Sequence, residues 1–354
     1  MDTKYTKYCA MDRMRVLAFA FIIIYHYIFE LEQMGNFDTD KVRIIQYSNS
    51  NVHIAMTGVS LFFMISGAGL MLSSMRKWSI KDFYSRRLTK VLIPFYVAEI
   101  FALIASYAIK REWLLYFPFI SKVKIILNFL GMDGYFEQYF KTFSLHVGEW
   151  FLGALIMLYI VFPLLRFFME KNRYITIIVA TVYYGVINFA VHFSTPPWTN
   201  VAVKVYDFIL GMFLVMEIPK LMEKKRFRLI ACIVSAAVIV TGIFLKPEIP
   251  IPDAMRNLIF AVAIFIFAFS LEFFGARNKV IDGAIEKICA IAYEVFLVHH
   301  IVIYYIGDQF NGAVMKRGHM IALFVTEVIV MIALALLVKG ISTPILGLFK
   351  RKQK

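Results

Sequence analysis

Apolar residues along this chain gather in long runs, and charged residues gather in short clusters between them. About ten runs come near the roughly 20 residues that an α-helix needs to cross the hydrocarbon core of a bilayer. They are Met14–Glu30, Met56–Ser73, Val91–Ile109, Trp150–Phe168, Tyr174–Phe193, Val201–Glu217, Arg228–Leu245, Met255–Phe274, Ile288–Ile306 and Met320–Gly340 or a little beyond. No internal repeat, heptad or low-complexity tract is visible, and no hydrophilic stretch is long enough for a separate soluble domain. The pattern predicts one all-α, polytopic membrane domain over residues 1–354.

Composition agrees with lipid as the solvent. The apolar set makes up 60% of the 354 residues, above the roughly 45–50% usual for soluble domains. The balance of 38 Lys+Arg against 24 Asp+Glu gives a net charge of +14, which in a soluble protein would suggest nucleic acid. Here it reads as cytoplasmic loops, so no nucleic-acid partner is expected. Cys9, Cys232 and Cys289 lie far apart, which excludes a disulfide framework and a structural zinc site. Lys4, Lys7, Arg13 and Arg15 precede the apolar stretch Val16 to Phe29, as in a signal peptide. That stretch runs into Glu30, Leu31 and Glu32 with no small-residue cleavage pattern, so it reads as a retained first span.

Loop charges set the orientation. Arg76, Lys77, Lys81, Arg86, Arg87 and Lys90 follow span two, against the single acid Asp82. Lys171 and Arg173 follow span four, and Lys220, Lys224, Lys225, Arg226 and Arg228 follow span six. Arg277, Lys279 and Lys287 follow span eight, and Lys350, Arg351, Lys352 and Lys354 form the tail. Alternate loops are poorer in base or balanced by acid, with Glu32, Asp38 and Asp40 after span one and no charge from Ser194 to Asn200, which puts both termini in the cytoplasm. His53, His146, His192 and His319 then fall at outer ends of spans, where histidine is common for interfacial reasons alone, while His26, His299 and His300 lie within spans.

The soluble-enzyme motifs are absent: no Walker A loop, no G-x-S-x-G elbow, no H-E-x-x-H and no dinucleotide fingerprint. Candidates are therefore polar groups stranded in lipid, which are costly to keep there. In span one, Arg15 and His26 are eleven positions apart, about 1100° of helical rotation, so they nearly share a face roughly 16 Å apart along the axis. Glu30 follows His26 by four, one turn further out. An imidazole beside a carboxylate suits proton handling: His26 can act as general base and Glu30 can orient it. The alternative is that Arg15 is a topology charge and His26 bonds a neighbouring helix. Arg86, Arg87 and Lys90 could cradle an anionic cofactor, or could be ordinary cytoplasmic charge. Pro94 is expected in the first turn of span three. The small residues of Gly58 to Gly69 suit close helix packing. Span nine carries Tyr293, Glu294, Phe296, His299 and His300; the histidine pair lacks the other ligands expected of a metal site, so no metal is expected.

Together these segments resemble the membrane acyltransferase-3 family. Its Arg, ten residues and His in span one is similar to Arg15…His26, and its F-F-x-I-S-G to Phe62–Gly67. R-R-x-x-R…P-x-Y resembles Arg86-Arg87-Leu88-Thr89-Lys90 with Pro94-Phe95-Tyr96, and W-F-L…F-P-L resembles Trp150-Phe151-Leu152 with Phe162-Pro163-Leu164. F-x-x-G-M matches Phe208–Met212, and S-Y-x-x-Y-L-x-H is approximated by Ala292–His299, where Ala292 and Phe296 replace a Ser and a Tyr. Lys90 stands where an Arg is common.

The resemblance implies a cell-membrane (plasma or inner membrane) enzyme that moves an acyl group, most simply acetyl, from acyl-CoA to a hydroxyl of an extracytoplasmic glycan or glycolipid. It implies acyl-CoA as donor substrate with no permanently bound cofactor, CoA phosphates on Arg15, Arg86, Arg87 and Lys90, and His26 with Glu30 as the catalytic pair. His146, Glu149, Trp150, Tyr293 and His299 would shape the acceptor side, and any partner transferase would be a separate chain. A proton-coupled transporter or flippase, with His26, Glu30 and His299 as its relay, is the rival, though the inverted repeat common in transporters is not visible.

Overall fold

The computed structural model describes residues 8–75, 78–110, 122–142 and 147–351. Lys4, Lys7, Arg76, Lys77, His146, Lys352 and Lys354 lie outside the described residues. The long elements are all helices: α1 (Cys9–Gln33), α2 (Ile54–Ser74), α3 (Ile80–Ala105), α4 (Glu149–Ala190), α5 (Val201–Met222), α6 (Lys225–Phe244), α7 (Asp253–Phe273), α8 (Lys279–Cys289), α9 (Ala292–Gly307) and α10 (Arg317–Arg351). Shorter helices at Thr39–Val42, Lys122–Phe129 and Asp133–Phe136 lie in connections. Among the described residues, 7 helices are long and apolar enough to cross a membrane, or 8 if α8 and α9 form one bent span. The chain is an all-α polytopic membrane protein.

Four details differ from the sequence expectation, each for a local reason. Segments 150–168 and 174–193 belong to one helical element, α4, broken only at Asn172 (φ −159°, ψ 93°). Asn172 Oδ1 accepts from the backbone of Tyr174 and Ile175 at 3.1 Å each, capping the second half. Segment 288–306 is α8 and α9, bent by 60° around Ala290–Ile291. The segment from Val201 carries Lys204, Asp207, Glu217 and Lys220, which takes α5 out of the strictly apolar set. Finally, α3 starts at Ile80, so Arg86, Arg87 and Lys90 lie in its early turns and Pro94 lies in its interior, not its first turn. Leu, Arg and Lys are good helix formers, and they extend the helix beyond its apolar part.

The chain folds as two compact units. Unit 1 comprises Met1–Ile22, Tyr47–Ile80 and Ile160–Cys289. Its tightest seam is α2 against α5. A Cβ at Gly67 would overlap the backbone oxygen of Phe208, and one at Gly211 would overlap that of Met64, so only glycine permits this approach. Beside the seam, buried Lys204 Nζ lies 2.9 Å from Asp207 Oδ2 and donates to Ser60 Oγ at 3.0 Å. The first turn of α1 is fixed by Glu272, which accepts from the amides of Cys9 (3.1 Å) and Ala10 (2.6 Å); a carboxylate there meets the positive end of the helix. Arg13 pairs with Asp282 at 2.7 Å. His53 sits just ahead of α2 and accepts from Met56 N, and burial holds its pKa below the ordinary value.

Unit 2 comprises Ile23–Gln46, Lys81–Tyr159 and Ala290–Lys354. Tyr27 donates to Met320 O at 2.6 Å and ties α1 to α10. Tyr293 donates to Val91 O at 2.8 Å and ties α9 to α3. The short helix Asp133–Phe136 packs on the start of α4, where a Cβ at Gly153 would lie 2.5 Å from Tyr135 Cβ.

Candidate functional site

Helix α1 has neither Gly nor Pro between Cys9 and Gln33, and its aliphatic and aromatic run continues without interruption. One rigid element therefore carries Arg15, His26 and Glu30, with His26 and Glu30 one turn apart on one face. In unit 2, α9 brings its adjacent histidines to that face. His26 lies 4.1 Å, centroid to centroid, from His300 and 5.1 Å from His299. The two α9 rings lie 4.1 Å apart. Three imidazoles thus meet inside helices of membrane-spanning character.

Two carboxylates complete the cluster. His300 Nδ1 lies 3.3 Å from Glu30 Oε1, and its Nε2 lies 2.9 Å from Glu149 Oε2. His299 and His300 are only 1% and 2% exposed, while the Glu30 and Glu149 side chains keep 23% and 25%, so the cluster opens on its carboxylate side. His299 Nδ1 sits 2.6 Å from Phe296 O, which turns Nε2 away from its own backbone; that atom is buried and has no hydrogen-bond partner among the described residues. Phe296 stacks near His299 and meets Phe151 edge-on at 5.3 Å, giving the cluster an apolar wall.

The backbone takes an unusual path to bring Glu149 here. Gly148 has φ 72° and Glu149 itself φ 41°, the latter a left-handed conformation that non-glycine residues rarely adopt. Such a conformation costs of order 1–3 kcal/mol and persists where surroundings hold it. Gly134 is part of that hold: a Cβ there would lie 2.5 Å from the carbonyl carbon of Glu149.

Of the residues expected from sequence, His26, Glu30, Glu149 and His299 come together. Trp150 follows Glu149 in α4, and Tyr293 spends its hydroxyl on Val91 O. His146 lies outside the described residues. Arg15 belongs to unit 1, where it pairs with Asp12 at 2.6 Å. Arg86 is exposed, donating from Nε to Asp82 O at 3.0 Å and approaching its carboxylate at 3.9 Å; Arg87 is half-buried and Lys90 exposed in the same turns of α3. His300 is the residue that the expected site left out. Its signal was its place beside His299, since two imidazoles in one span exceed ordinary structural need.

The His299–His300 pair, expected to bind no metal, has other ligand-type side chains beside it in the fold. His26, His299 and His300 each offer a ring nitrogen within 4.8 Å of the others, as do His300, Glu30 and Glu149 with their ligand atoms. Chemically the cluster can accept, hold and return a proton next to a partly exposed carboxylate pair, and its donor set is one a divalent cation accepts.

A family model described as an acyltransferase domain, of the acyltransferase-3 type, matches residues 10–341, which is nearly the whole chain. The chain belongs to that family. No curated protein and no solved structure matches it.

Proposed function

From membership in the acyltransferase-3 family, we propose that this membrane acyltransferase takes its acyl group from cytoplasmic acyl-CoA, acetyl-CoA in the simplest case, and passes it to a hydroxyl of an extracytoplasmic carbohydrate or glycolipid. The observation that supports this reading is the buried imidazole cluster around His26 on the helix that also carries Arg15. The CoA phosphates dock on the basic turns of Arg86, Arg87 and Lys90, where Arg forks match phosphate oxygens. The roughly 16 Å of α1 between Arg15 and His26 suits an extended pantetheine arm that carries the thioester inward.

At the thioester, His26 takes the proton of the acceptor hydroxyl as its oxygen adds to the acyl carbon. The C–S bond then breaks, and the imidazolium returns the proton to the departing CoA thiolate. An ester and free CoA leave, and His26 is restored. Glu30 holds the imidazolium while it exists. Trp150, Tyr293 and His299, together with His146, shape the acceptor side. The protein works in the cell membrane without a permanently bound cofactor, and any separate transferase that receives or delivers the acyl group is a different chain.

The test is alkali-releasable acetate on surface glycans in a deletion strain restored with the natural protein or with His26→Ala. Acetate should fall on deletion and return only with the natural protein. If neither acetate nor any other ester-linked acyl group changes on deletion, the proton-coupled transporter reading replaces this one.

A further inference from the structure

We infer that His300 is a positioning residue clamped between Glu30 and Glu149, and that the Gly134, Gly148 and Glu149 backbone forms the brace that delivers the second carboxylate to it. The inference rests on the reading of His26 as the proton acceptor, and it moves Glu149 from acceptor binding to support of the catalytic imidazole.

Three independent observations lead there. The first is the pair of contacts: both ring nitrogens of His300 face carboxylate oxygens, at 3.3 Å and 2.9 Å. An imidazole with protons on both nitrogens is the form whose charge suits two carboxylates at ion-pair distance. The second is the backbone. Two successive residues with positive φ stand at the head of α4, and one of them is Glu149, whose side chain makes the shorter contact. A left-handed glutamate is unfavourable, so what holds it matters. The third is Gly134, whose missing Cβ lets Asp133–Phe136 press directly on the Glu149 backbone.

The charge arithmetic explains the use. Two carboxylates around one imidazolium leave the trio with one net negative charge, and His26 sits 4.1 Å from the central ring. When His26 takes the acceptor proton, its new positive charge forms beside that negative trio in a water-poor setting, where such preorganised charge counts most. Among the described residues, the ionisable groups around His26 include Tyr25 and Glu30 on its own helix, His299 and His300 on α9, and Glu149 on α4. The His300 ring also meets the His26 ring edge-on, so losing it costs orientation as well as charge. A misplacement of about 1 Å at a reacting group can cost on the order of a hundredfold.

The test uses membrane vesicles that retain the source cell's own envelope glycans, with radiolabelled acetyl-CoA as the probe and alkali-releasable label as the product. Glu149→Gln, His300→Ala and Gly134→Ala should each lower kcat by about ten- to a hundredfold while KM for acetyl-CoA stays within about twofold. His300→Gln, which keeps one donor, should fall between His300→Ala and the natural protein. Gly134→Ala is the decisive variant, because it touches no side chain of the cluster. Melting of each detergent-solubilised variant checks that it is folded. Independently of turnover, nitrogen-15 NMR of histidine-labelled protein should show the resonance lost in His300→Ala with two N–H couplings, and one of them should disappear in Glu149→Gln.

Variants with natural kcat, or a His300 with a single N–H, overturn the inference. So does a stoichiometric divalent cation in the purified protein that His300→Ala removes. If the natural protein transfers label from no acyl-CoA, the functional reading fails, and the NMR result alone then decides the clamp.

Discussion

Replacing Lys204 by methionine would strip the partner from a carboxylate held inside unit 1. Lys204 and Asp207 are one turn apart on α5, 1% and 0% exposed, with Nζ 2.9 Å from Oδ2 and 3.0 Å from Ser60 Oγ. The lysine ammonium is therefore spent locally, on Asp207 and Ser60. Removing one partner of a buried pair typically costs about 3–5 kcal/mol, because the other charge stays behind uncompensated. For a chain of this size that corresponds to a fall in melting temperature on the order of 10 °C. Removing both charges is different: a well-packed apolar replacement of a buried pair is often neutral or better. Lys204→Met and Asp207→Leu should thus each destabilise strongly, and the double variant should melt near the natural protein. The assay is the loss of monodisperse protein after heating in detergent, followed by fluorescence-detected gel filtration. The reasoning is refuted if Lys204→Met melts within about 2 °C of the natural protein. It is equally refuted if the double variant loses as much as the two single variants together, since no favourable coupling would then remain.

Two other predictions bear on the two ends of unit 2. Arg86→Gln with Arg87→Gln should raise KM for acetyl-CoA about tenfold, as expected when charge-assisted hydrogen bonds to phosphate are lost, with kcat little changed; steady-state kinetics in the same vesicles measures it, and an unchanged KM removes these residues from donor binding. Burial pushes the Asp133 carboxyl up from 3.8 to about 6, while Asn128 and backbone donors act the other way. A raised acid opposes folding when it ionises, so its penalty grows as pH rises from 3.8 to about 6 and then stays constant. Asp133→Asn should gain at most on the order of 3 kcal/mol over the natural protein at pH 8 and little at pH 4; melting curves at the two pH values check it, and an equal difference at both contradicts the burial argument.

Much of this fold is legible in the apolar runs, because lipid demands that every backbone group be satisfied within its own helix. What the runs hide is where helices continue through polar residues. The early turns of α3 and the joint at Asn172 are helical or capped because Arg, Lys and Asn side chains meet backbone needs that hydropathy does not count. The site divides in the same way. His26 and Glu30 are readable as one stripe, since both lie on one helix and periodicity relates them. The meeting of His300 with Glu149 joins residues 151 positions apart through a left-handed turn, and no spacing rule reaches that far. The companions of His299 and His300 stay hidden in the sequence for this reason, as they come from α1 and α4.

The motifs that carry the family resemblance do two kinds of work, and the fold separates them. The stretches Phe62–Gly67 and Phe208–Met212 lie opposite each other on α2 and α5, with Gly67 against Phe208 and Gly211 against Met64. Their glycines are demanded by backbone contact, so their chemistry is packing, and a larger residue at either position acts on stability and not on a reacting atom. The Arg15…His26 stripe and the Ala292–His299 stretch meet no such steric demand. Their polar groups sit where apolar ones would cost less, and helix packing alone does not require them. The replaced hydroxyls support the division: Ala292 and Phe296 stand where Ser and Tyr are usual, yet the stretch still delivers His299 to the cluster, with Phe296 closing its wall through Phe151. What that stretch supplies to the cluster is the His299 imidazole, with Phe296 beside it.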